Sequence, residues 1–120
     1  MDKNLEMNLD ILINMLDRKL EYMNEIYNIA VNQKTMIQSN EECLDLLRET
    51  GAMVKEKTLK VNALDGEFQA KYDEIGASLA DSKADYKGYI SILKDKIKEC
   101  TELKLKIKLQ EDKNKELLEK

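Results

Sequence analysis

Cys43 and Cys100 are the two thiols of a 120-residue chain that contains no histidine. Without an imidazole, neither thiol has the general base of a Cys/His nucleophile, and their separation matches neither a zinc site nor a redox pair. Reduced, partly buried thiols are the reading. The 24 Asp and Glu are scattered around the chain, and a di-iron site of the Glu-x-x-His kind is impossible without His. Phosphate loop, dinucleotide fingerprint and nucleophile elbow are all missing. With 37% charged residues, five Tyr, one Phe and no Trp, the chain can build a thin apolar seam, whereas a deep catalytic pocket needs a broader interior. The sequence therefore predicts a protein that is not an enzyme and has no metal and no cofactor.

The net charge is −4, divided as −3 over residues 1–60 and −1 over residues 61–120, so neither half is a basic arm for nucleic acid. Lys94 to Lys108 holds six Lys against Asp95, Glu99 and Glu102, which reads as a solvated helix face. The first twenty residues mix acids and bases and lack the apolar core of a secretory signal. The longest uncharged stretch, Ile26 to Gln33, is less than half a bilayer span. These features predict a cytoplasmic protein without membrane insertion.

No Pro and four Gly leave little to build the corners of a β-sandwich, and the hydrophobic spacing is helical. Leu9, Ile13, Leu16, Leu20, Met23, Tyr27 and Ala30 alternate steps of four and three and so share one face. A second stripe runs from Cys43 through Leu47, Val54, Val61, Leu64 and Phe68 to Ile75 without losing phase at Gly51 and Gly66, glycines that each weaken a helix by about 1 kcal/mol. Tyr86, Ile90, Leu93, Ile97, Cys100 and Ile107 form the third.

Ser39 with Glu42 three residues on makes a capping box, Gly76 follows the second stripe, and Ser82 with Asp85 makes a weaker cap. These signals predict one all-α domain over 1–120, with helices over about 3–38, 40–76 and 82–118, in an elongated up-down-up bundle of coiled-coil-like packing. Antiparallel pairing about turns centred at 38.5 and 80.5 gives core layers Leu9/Phe68/Leu93, Leu16/Val61/Cys100 and Met23/Val54/Ile107. Cys43 and Cys100 then lie about 18 residues, or roughly 27 Å, apart along the bundle, too far for a disulfide.

Two places exceed a plain bundle. The next layer, Ala30/Leu47/Asn114, takes a polar residue from helix 3, and Gln110 to Glu116 has no apolar side chain, which predicts a frayed or detached end. Before it, Leu103, Leu105, Ile107 and Leu109 alternate with lysines; on a helix Leu103 and Ile107 face the bundle and Leu105 and Leu109 are left without cover. Helix 1 carries a second stripe, Leu12, Met15, Tyr22, Ile26, Ile29 and Met36, about 100° from the first. Leu12, Met15 and Tyr22 read as core, and Ile26, Ile29 and Met36 as a binding face.

The run from Leu20 to Ile75 resembles the FlgN-type flagellar export chaperones: a long first helix with Gln33 before its end, the acidic turn Ser39-Asn40-Glu41-Glu42, Leu44 and Leu47, then a long second helix. The resemblance implies a small acidic bacterial protein that binds hook-associated proteins of the hook-filament junction through an amphipathic C-terminal helix and delivers them to the flagellar export apparatus. Leu103, Leu105, Ile107, Leu109, Leu117 and Leu118 occupy the place of that helix. No Tyr follows Tyr89, so the tyrosine that family members use at the export gate has no counterpart. The alternative is a structural coiled-coil protein whose spare stripes build a homodimer or a longer helical assembly. A monomer or homodimer is compatible with the chaperone reading.

Overall fold

Residues 3–38 contain neither Gly nor Pro, and with apolar residues at helical spacing throughout, nothing in that stretch interrupts a helix. The computed structural model describes residues 3–39 and 43–119, and among them the chain is all-α: α1 spans Lys3–Gln38, α2 Leu44–Asp81 and α3 Lys87–Glu119. The helices run up, down and up in an elongated three-helix bundle measuring 60 × 20 × 16 Å.

α1 is the central rod. It packs along both α2 and α3, whereas no Cα of α2 comes within 8 Å of any Cα of α3. Seven α1 residues are buried against three each on α2 and α3. This explains the double stripe on α1. A helix flanked on two sides needs two apolar faces, and Leu12 and Ile26 of the second stripe are as buried as Leu9 and Leu16 of the first.

The parallel register of α3 on α1 follows the expected offset. Asn114 Nδ2 donates to the Ala30 carbonyl at 2.7 Å, an offset of 84 residues, the same that separates Leu9 from Leu93, Leu16 from Cys100 and Met23 from Ile107. Near the other end the Tyr89 hydroxyl donates to Glu6 Oε1 at 3.2 Å, and Lys96 pairs with Asp17.

The antiparallel register of α2 differs from the expected one by about a heptad. Gln33 Nε2 donates to Thr50 Oγ1 at 2.9 Å, Lys57 Nζ lies 2.9 Å from Glu25 and Lys19 Nζ 2.7 Å from Asp65, pairs whose numbers sum to 83, 82 and 84 rather than 77. Leu5 and Asn8 share a small hollow with Ile75 and Ser78, in agreement. Ile75 therefore stands level with Leu9, Phe68 with Leu16 and Val61 with Met23. The slip widens the separation of the free thiols Cys43 and Cys100 to about 24 residues along the bundle, roughly 36 Å.

The turns account for the slip. The Ser39 hydroxyl donates to the Met36 carbonyl at 2.7 Å, closing α1 rather than opening α2; its capping-box partner Glu42 lies outside the described residues, as do Asn40 and Glu41. Cys43 stands at the N-cap of α2 without a side-chain cap bond. Gly76 does not end α2: the helix runs on to Asp81 because Ile75 and Leu79 both bury themselves in the core, which outweighs the cost of one helical glycine. Ser82 closes α2, with its N–H donated to Leu79, and its own carbonyl accepts from Asp85 and Tyr86. Tyr86, 2% exposed, anchors this second turn beneath the helix ends.

The end of α3 is neither frayed nor detached. Asn114 is buried, Gln110 Nε2 donates to its Oδ1 at 2.9 Å, and its own Nδ2 reaches Ala30. The amide is thereby paired on both sides, and the small Ala30 side chain leaves it room. A polar layer continues the packing where an apolar one was absent.

Candidate functional site

The residues expected to bind a partner fall into three environments. Leu103 and Ile107 are half-buried and pack against the core from α3. Leu105 and Leu109, one turn apart, project away from α1 and are 58% and 53% exposed. Leu117 is half-buried and Leu118 exposed at the end of α3. Thirteen residues past Leu105, Leu118 has turned about 140° around the helix, so these leucines do not share one face. Lys98, Glu102, Asp112 and Glu116 surround Leu105 and Leu109 along the same side, which makes the uncovered patch small.

On α1, Ile26 is buried and presents no exposed side chain on the outer surface. It lies on the side of α1 that receives α2, next to the Glu25–Lys57 ion pair. Ile29 and Met36 are half-buried on the same helix. The spare stripe was the seam for α2, and only the knowledge that α1 is the middle helix distinguishes the two.

The larger feature is one that hydrophobic spacing does not disclose. Because the backbones of α2 and α3 do not approach each other, an open channel of about 580 Å³ lies between them with α1 as its floor. Leu16, Met23 and Ile26 of α1 form the base, with Val61 from α2 and Cys100 and Ile107 from α3 on the lower walls. Thr58, Asn62 and Asp65 make the α2 rim. The α3 rim carries Ile97, 45% exposed, then Thr101, Lys104, Lys108 and Glu111.

Electrostatics divide the rims. Lys19 reaches up from the floor to Asp65, which neutralises the acid of the α2 rim. Burial pushes the Glu111 carboxyl above the usual carboxylate range, and neighbouring Asp112 adds to it. The Cys100 thiol in the wall is pushed up as well, chiefly by burial, with Lys19 opposing. A raised thiol pKa suppresses the thiolate and makes Cys100 a packing residue.

Among the described residues no group of His, Cys, Asp and Glu is placed to hold a metal ion, and no helix is long and apolar enough to cross a membrane. The arrangement has the means to bind another polypeptide: an apolar trough with polar rims, and two uncovered leucines on the outer side of one wall. Comparison with family models, with curated proteins and with solved structures returns no match for this chain.

Proposed function

We propose that the protein is a non-catalytic holder of a partner's amphipathic segment, of the flagellar export chaperone kind, which escorts hook-associated proteins in the cytoplasm to the flagellar export apparatus. The single observation that carries the reading is the state of α3 beyond Ile97. That helix is fixed to α1 along one edge, yet it leaves Leu105 and Leu109 uncovered outside and Ile97 uncovered in the channel. Apolar side chains of this kind on a fixed rod can mask the sticky face of another helix without nucleotide or covalent chemistry. The resemblance over Leu20 to Ile75 supplies the identity of the cargo.

Calorimetric titration of the full chain with purified hook-associated junction proteins tests this. Binding by the wild type that survives as a one-to-one complex, and is weakened by Leu105→Asp with Leu109→Asp, is the expected result. Absence of binding to every such protein would remove the flagellar assignment.

The homodimer is the second reading, favoured by α2, where Leu46 and Met53 lie a heptad apart and are 49% and 46% exposed. A constant doubled mass in light scattering over a range of concentrations, together with no binding of any hook-associated protein, would favour this second reading over the first.

A further inference from the structure

We propose that the channel between α2 and α3 is the seat of a partner helix of about two heptads, apolar on one side and carrying Asp or Glu along the flank that meets α3. The inference rests on the reading of the protein as a helix holder and adds where the helix sits and what charge it bears.

Cross-section is the first ground. Three rods that all touch make a closed triangle, but here two rods flank the third and stay apart, leaving the fourth corner of a four-helix bundle vacant. The channel walls on α3 run from Ile97 to Glu111, fourteen residues or about 21 Å of helix, which fits a two-heptad occupant. Its interior is apolar, and the exposed Ile97 stands where a facing knob would cover it.

Charge is the second ground. Lys104 and Lys108 stand on the α3 rim, and Lys94 and Lys115 continue the same side of that helix beyond the channel. Among the described residues Lys108 pairs with Asp112 at 3.7 Å, and both side chains are mostly exposed. Opposite, the α2 rim offers the neutral Thr58 and Asn62, while Asp65 is already held by Lys19. Two lysines of the densest basic stretch, Lys104 and Lys108, therefore border the vacant corner on one side, with Glu111 the acid that follows them on that rim. A helix with acids on that flank gains attraction there and meets no repulsion on the other.

Two synthetic helical peptides of about eighteen residues provide the probe, with identical leucines at heptad positions and flanks of Glu in one and Lys in the other. Fluorescence anisotropy with the full chain should show the Glu-flanked peptide binding roughly tenfold tighter at low salt, although the net charge of −4 favours the Lys-flanked one. Lys104→Glu with Lys108→Glu should reverse the preference. Thr58→Trp, or Asn62→Trp as a second filler at an exposed rim position, should abolish binding with helicity unchanged. Equal or stronger binding of the Lys-flanked peptide, or indifference to both fillers, overturns the inference. Loss of binding only in the Leu105/Leu109 variant overturns it while keeping the holder on the outer face. If neither peptide binds, the channel is not a helix seat, and the titration with hook-associated proteins decides separately whether the chain is a holder.

Discussion

The buried side chain of Asn114 donates to the backbone carbonyl of Ala30 across 84 residues of sequence, and it ties the far part of α3 to α1. Its Oδ1 is satisfied in turn by Gln110. Replacing the amide by a carboxylate removes the donor and sets a negative charge against a carbonyl oxygen. Asn114→Asp should therefore cost about 1–3 kcal/mol at neutral pH, measured by urea denaturation. Asn114→Leu takes the acceptor from the Gln110 amide, but Gln110 is only half-buried and its N–H can turn to water, so the change should be close to neutral or stabilising. It should also loosen the choice of register, visible as a mixture of oligomers in sedimentation.

The glycines inside α2 make the opposite case. A Cβ at Gly51 or Gly66 meets no atom within 4 Å, so neither position is glycine for want of space. The double change to Ala should raise stability by about 1–2 kcal/mol through helix propensity alone. A smaller gain, or a loss, in the denaturation midpoint would mean that the outward side of α2 makes contacts beyond the single chain.

How much of this fold the sequence disclosed depends on what a seven-residue pattern can encode. The stripes identify three helices and the faces that meet, and α3 falls on α1 at the expected offset because both ladders slipped together. Pairing of α2 with α1 is ambiguous by a heptad, since Leu9 can face Phe68 or Ile75 with equal chemistry, and only the turn decides. Ser39 has the spacing of a helix start, yet its hydroxyl bonds backward to Met36. Gly76 has the look of a helix stop, yet Leu79 beyond it is buried. Leu105 and Leu109 were legible as uncovered because helical period alone places them away from Cys100. The channel was not legible at all, because the gap between α2 and α3 is a property of three rods together.

Titration offers an independent check on the closed end of the bundle. Burial and then the hydrogen bond to Glu6, with Asp10 nearby, hold the Tyr89 phenol above its ordinary value near 10. The protonated phenol is the form the fold favours, so its stabilising contribution is complete below the unfolded value and is lost as pH rises through the raised folded one. The ultraviolet titration of the wild type minus that of Tyr89→Phe should show a phenolate midpoint above 10. Glu6→Gln should bring the midpoint down.

Ile26 and Leu105 test the division between scaffold and binding surface. Both belong to apolar stripes that read as partner-binding, but Ile26 is 5% exposed and Leu105 58%. Ile26→Ala removes buried methyl groups from the α1 seam and should cost about 2–4 kcal/mol, with a matching drop in the denaturation midpoint. Leu105→Asp with Leu109→Asp changes side chains that touch water and should alter stability by no more than about 0.5 kcal/mol per site. The circular dichroism spectrum should stay that of the wild type. Cooperative loss of helix in the second variant would show that α3 needs those leucines for its own packing, and the outer side of the helix would then be scaffold instead of a surface for another chain.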